Sequence, residues 1–175
     1  CSLEVTEALP AQPIDPPTVT MSFIVNDSPL AGTEGDKVTS RVIRDRLFKE
    51  AEGNVALKIE EAEGKDSFFV SGRGELQLAV LIETMRREGY ELTVGQPQVI
   101  VKELNGVKCE PYENLVVDVP QEFASKVIDL VTRRKGEMHV METKGEMQHL
   151  EFEIPSRGLI GLRTQMLTAT TGEAV

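Results

Sequence analysis

The feature that most constrains this 175-residue chain is an order of hydrophobic periods that runs once and then starts again. Val19, Met21, Phe23 and Val25 recur at period two, which places one face of a strand in a core, and Asn26-Asp27-Ser28-Pro29 ends it. Val42, Ile43, Leu47 and Ala51 then share one helical stripe within residues 38–52, with Gly53 as the stop. Val55, Leu57 and Ile59 alternate, as do Phe68 and Val70 beyond the polar turn Glu63-Gly64-Lys65-Asp66, predicting a hairpin. Leu78, Leu81, Ile82 and Met85 stand at i, i+3, i+4 and i+7, which predicts a second helix over 75–88 stopped by Gly89. Leu92 and Val94, and past Pro97 also Val99 and Val101, supply a closing strand. The order β-α-β-β-α-β is the split βαβ, or ferredoxin-like, unit.

The same order restarts at Glu110-Pro111. Leu115, Val117 and Val119 alternate; Ala124, Val127, Ile128 and Val131 form a helical stripe; Met138 and Val140, then Leu150, Phe152 and Ile154, alternate across a turn at Gly145. A last helix is expected from Ser156 to about Thr168, with Leu159, Leu162 and Met166 on one side, leaving only Ala174 and Val175 to begin a final strand. The predicted fold class is therefore α+β: two consecutive ferredoxin-like split βαβ domains, the second lacking its last strand and exposing a sheet edge. The expected boundaries are a proline-rich linker over 1–17, a first domain over 18–106 and a truncated second domain over 107–175. No methionine precedes Met21, so the chain is expected to be a piece of a longer protein.

Composition removes several function classes. Nineteen Lys and Arg against 29 Asp and Glu give a formal charge of −10, which repels phosphate backbones and argues against a nonspecific nucleic-acid binder; DNA is not an expected partner. Up to Asp36 the chain has acidic residues and no Lys or Arg. The longest apolar run, Leu78 to Ile82, is too short to cross a bilayer, so no membrane partner is expected. Two cysteines, Cys1 and Cys109, lack metal-ligand spacing and point to a reducing, cytoplasmic setting.

No catalytic or metal site is expected. Gly32-Thr33-Glu34-Gly35-Asp36-Lys37 approaches a phosphate loop but puts Asp where the cradle needs Gly beside Lys. His139 and His149 read as polar neighbours in a hairpin, for want of a third ligand. Gly72-Arg73-Gly74 and Ser156-Arg157-Gly158 each join a strand to a helix, where free amides and an arginine can hold an anion. Arg133-Arg134-Lys135 closes the third helix, where cations also simply offset the helix dipole. Phe68 and Phe69 weakly resemble the base-stacking platform of single-strand readers, one of the two being read as core.

Several runs together carry a resemblance: Asn26-Asp27-Ser28-Pro29-Leu30-Ala31-Gly32, Val70-Ser71-Gly72-Arg73-Gly74-Glu75-Leu76, Met85-Arg86-Arg87-Glu88-Gly89, Glu110-Pro111-Tyr112-Glu113-Asn114 and Ile154-Pro155-Ser156-Arg157-Gly158-Leu159-Ile160-Gly161. Over essentially its whole length the chain resembles the BipA/TypA family of translational GTPases, relatives of elongation factor G. The resemblance implies that these are that family's domains III and V. It further implies a parent that uses GTP and Mg2+, a cytoplasmic, ribosome-associated role in large-subunit assembly and stress-related translation, and contacts to large-subunit rRNA, ribosomal proteins and the parent's own G domain and C-terminal domain. GTPase motifs are absent from this sequence, so no cofactor is expected here. Charge placement nominates Arg73, Arg133, Arg134, Lys135, Arg157 and Arg163 as rRNA contacts. Two rival readings are a tandem small-molecule regulatory module and an acylphosphatase-like use of the Gly72-Arg73-Gly74 turn.

Overall fold

The computed structural model describes residues 15–62 and 66–175. Most of the linker expected over 1–17, and the centre of the turn expected at 63–66, lie outside the described residues. Strand β1 (Val19–Val25) buries Val19, Met21 and Phe23 and leaves Thr20, Ser22 and Ile24 on its other face. Helix α1 (Ser40–Gly53) follows, burying Ile43 and Leu47, while Val42 on the flank of the stripe stays partly exposed. Strand β2 (Lys58–Glu61) begins three residues later than the alternation predicts, because Leu57 N–H closes a turn onto the Asn54 carbonyl. Strand β3 (Ser67–Gly72), helix α2 (Glu75–Arg87) and the short strands β4 (Leu92–Val94) and β5 (Gln98–Val99) complete the unit.

The sheet order is β2-β3-β1-β4, with β5 also on β1, and these strands all pair antiparallel. The closing strand is thus broken at Gly95-Gln96-Pro97. Proline has no N–H to give the ladder, and Gly95 N–H turns instead to the Ser22 carbonyl. Leu78, Leu81 and Met85 of α2 join Ile43 and Leu47 of α1 on one face of this sheet, closing a core around Phe23, Phe68 and Val70.

A hairpin that the alternation did not predict comes next: β6 (Lys102–Leu104) and β7 (Val107–Cys109) turn at Asn105 and Gly106, both with positive φ. Asn-Gly is the preferred pair for such a turn, since both positions tolerate the left-handed region. The 106/107 boundary falls inside this turn.

The second unit comprises β8 (Tyr112–Pro120), α3 (Gln121–Arg133), β9 (Glu137–Lys144) and β10 (Met147–Pro155), in sheet order β8-β10-β9. Val117, Val119, Leu150, Phe152 and Ile154 face Val127 and Val131 of α3 in a core of their own. One long helix expected after Pro155 is instead two, α4 (Ser156–Leu159) and α5 (Leu162–Ala169). Gly161 interrupts them at φ 69°, a left-handed conformation that ends one helix before the next begins. At the chain's end Val175 exchanges both backbone hydrogen bonds with Asp118, so the outer edge of β8 is paired at that point.

Candidate nucleic-acid interface

Three of the four nominated corners meet along one seam, and the fourth lines a groove beside it. Arg73 sits where β3 passes into α2; its backbone N–H donates to Gln77 and its Nε to the Asp15 carbonyl. The next residue but one, Glu75, accepts the N–H of Gly161 at 3.0 Å. Thr18, whose hydroxyl donates to the Arg73 carbonyl, also reaches the Glu113 carboxylate, and that carboxylate accepts the hydroxyl of buried Ser156. The two turns that the sequence makes equivalent, Gly72-Arg73-Gly74 and Ser156-Arg157-Gly158, are therefore tied to each other by side chains and not spread over opposite ends of the molecule.

The end of α3 joins the same seam from the other side. Arg134 Nη1 donates to the carbonyls of Gly158 and Ile160, both at 2.7 Å, and Nη2 donates to Gln165 at 2.9 Å. Gly158 permits this approach, because a Cβ there would lie 2.9 Å from the Arg134 carbonyl and 3.0 Å from Ile154. The planar fork of an arginine matches several acceptors at once, which an ammonium cannot. Arg134 is thus a clamp on the α4–α5 corner, turned inward, with three of its five N–H donors committed within the chain.

The remaining nominees face outward. Arg133 is exposed and holds Asp129 one turn back, at 2.8 Å. Arg157 forms a two-pronged pair with Glu110, which raises its already high pKa and keeps it charged. Lys135, at φ 67°, and Arg163 have no side-chain hydrogen-bond or ion-pair partner among the described residues. Arg163 lines a groove of about 340 Å³ between α2 and α5, beside Glu75, Leu76 and Thr164. Exposed pairs are weak, so Arg133 and Arg157 can exchange their carboxylates for a phosphate at small cost.

The loop that approaches a phosphate cradle is filled by the chain itself. Backbone N–H groups of Gly32, Glu34 and Gly35 converge on the Glu91 carboxylate, with Asn26 as a further donor. These bonds, first that from Glu34, hold Glu91 below the usual carboxylate range. A nucleotide phosphate would have to displace it, so the residues present do not fit GTP. The histidines stand apart: His149 lies between Asp118, at 2.7 Å, and Glu151, while His139 faces Glu153. The described residues contain no group of three His, Cys, Asp or Glu suited to a metal ion.

An arginine outside the nominated set makes the most buried ion pairs of the first unit. Arg46, its side chain only 14% exposed, grips Glu88 and Glu50 and joins the end of α2 to α1. Its i,i+4 spacing to Glu50 is legible in the sequence; the link to Glu88, 42 residues away, is not.

Comparison with known proteins agrees with this architecture. Residues 107–175 match the family described as Elongation factor G C-terminus. The chain is 55% identical over 171 residues to a Synechocystis protein named large ribosomal subunit assembly factor BipA, covering 97% of the chain and 28% of that relative. It is 52% identical to proteins of the same name from Escherichia coli K12, over 173 residues, and Haemophilus influenzae, over 174; each alignment covers 98% of the chain and 28% of the relative. The chain spans just over a quarter of the length of these curated relatives. No helix among the described residues is long and apolar enough to cross a membrane.

Proposed function

Because this chain belongs to the BipA-like members of the elongation factor G family, we propose that it is the ribosome-contacting part of such a protein, setting a GTP-hydrolysing domain that lies outside it. Residues 18–106 and 107–175 act as two domains joined through the 102–109 hairpin. GTP and Mg2+ belong to the parent's other domains, since the cradle-like loop here is occupied by Glu91. The setting is cytoplasmic and ribosome-associated, and the process is large-subunit assembly, as the relatives' names describe for those proteins. Those names favour this reading over a small-molecule regulatory module.

The observation that carries the reading is the gathering of basic corners along one seam of a chain whose net charge is −10. A polyanion can be met there by a few oriented groups while the acidic bulk faces protein or solvent. Arg73, Arg133, Lys135, Arg157 and Arg163 contact rRNA. Arg134 serves the interface by holding the α4–α5 corner in shape. In the full-length protein, Arg133→Glu with Lys135→Glu is expected to weaken co-sedimentation with ribosomes in the presence of nonhydrolysable GTP. The salt dependence should flatten too, its log–log slope becoming shallower by about 1 for each phosphate that the variant no longer neutralises. Unchanged pelleting would remove these positions from the interface.

A further inference from the structure

We propose that the open face of the first sheet binds single-stranded RNA by stacking an unpaired base on Phe69. Ladder register places Phe69 opposite Ser22 of β1 and Glu60 of β2, on the face turned away from both helices. One row along, Ser71 stands between Thr20 and Lys58. Nearly every neighbour on this face is polar, as a solvated sheet face should be. Phe69 breaks the pattern: it is 45% exposed on a central strand, while Phe68 beside it is fully in the core. With Pro16, Pro17, Ile100 and Lys102, all of these residues except Ser22 and Phe68 line a groove of about 440 Å³, open to solvent.

Two lysines beside an aromatic ring, in a lining otherwise largely apolar, fit that groove to a nucleotide. Its aromatic face accepts any base, because every base has a π-face. One hydroxyl beside the ring is within reach: buried Ser71 donates to Thr20, whose own hydroxyl lies 3.5 Å from the Val70 carbonyl, so a lone pair of the half-buried Thr20 hydroxyl remains open to a base edge or a 2′-OH. Lys58 and Lys102 stand at opposite rims. Lys58 is paired with Glu60 at 2.7 Å, and Lys102 has no ion-pair partner among the described residues. The lining therefore carries two positive charges against one negative, in a chain of net charge −10. An aromatic on an open antiparallel sheet face flanked by cations is similar to, though smaller than, the platform of several aromatics by which sheet-faced RNA modules read single strands. The proposal deepens the ribosome-binding reading by naming unpaired RNA as a ligand of a second surface, distinct from the arginine seam.

The chain has no tryptophan, so Phe69→Trp provides a reporter at the site itself. Titrating this variant of the 175-residue chain with a short oligouridylate should quench its fluorescence saturably. The salt slope should be about −1.4, as two lysine–phosphate contacts on a single strand predict. Phe69→Leu keeps an apolar side chain but no π-face. It should weaken anisotropy-detected binding of labelled oligouridylate roughly 5- to 150-fold with the thermal midpoint unchanged, while Phe69→Tyr binds like the parent. Absent quenching, or equal affinity in Phe69→Leu, overturns the proposal. If Phe69→Leu weakens ribosome pelleting of the full-length protein but oligouridylate does not bind, the groove takes a ribosomal protein and RNA stacking is overturned. If oligouridylate binds through Phe69 yet the full-length protein does not pellet with ribosomes, the stacking site stands and the ribosome reading falls.

Discussion

The first unit closes its sheet on β1 with β4 and β5, whereas the second leaves β8 as an edge that, among the described residues, is paired only at Val175. Their helix ends differ in the same sense. In the first, Arg46 clamps α1 to the end of α2 through carboxylates. In the second, Arg134 clamps α3 to the following corner through backbone carbonyls. One topology thus uses a half-buried arginine in two ways. Carboxylate partners neutralise the charge, while carbonyl partners leave it uncompensated, so the second unit keeps positive potential beside its exposed Arg133 and Lys135. Both units are net acidic to a similar degree, with 11 Lys and Arg against 15 Asp and Glu over 18–106 and 8 against 11 over 107–175, so they differ in how their arginines are paired and not in net charge.

The largest test of that comparison is whether the two cores are separate. Phe68→Ala and Phe152→Ala each empty a fully buried site and should cost about 3–5 kcal/mol. In calorimetry of the 175-residue chain, each should lower a different transition. A single transition lowered by both would make the halves one cooperative body.

Next in size is the clamp. Arg134→Met removes three charge-assisted hydrogen bonds and should destabilise the second unit by about 2 kcal/mol, read from its denaturation midpoint. Arg134→Lys should recover little of this, because one ammonium cannot span the Gly158 and Ile160 carbonyls and Gln165 together. Full recovery by lysine would mean that charge alone matters at this corner.

The smallest effects are titrations, and they run in opposite directions. Hydrogen bonds from His149 to Asp118 and then Glu151 raise the histidine pKa, against burial and Lys144, with Glu142 as its ladder neighbour on β9. Its folded pKa lies above the unfolded one, so the stabilisation is complete below about pH 6.5 and fades as pH rises through the folded value. Glu91 is shifted down by its loop amides. Its stabilisation is present above the ordinary carboxylate value and is lost as pH falls through the depressed one. Mild base should loosen the second unit and acid the first. His149→Gln should remove the basic-side decline in melting temperature, and Glu91→Gln the acid-side decline of amide-exchange protection in residues 26–37.

Much of this architecture was legible in order. Periods of two and 3.6 placed β1, β3, α2, α3 and β10 because each buries one face, and burial is written residue by residue along the chain. The β6–β7 hairpin was legible from its turn alone: Asn105-Gly106 is a strong signal, but the strands beside it bury little and so show no alternation. The break at Gly161 was not. A glycine inside a helical stripe is usually tolerated, and its left-handed conformation here accompanies a hydrogen bond to Glu75, 86 residues away.

What the residues alone determined is the alternation of faces, hence the two sheets, their cores and the acidic balance around them. Which arginines remain available was decided only in three dimensions. Arg133, Arg134 and Lys135 are consecutive and chemically alike, yet one reaches Gly158, Ile160 and Gln165 while its neighbours face solvent. A side chain's direction follows from local backbone geometry, but its partner depends on which distant segment the fold brings within hydrogen-bonding distance.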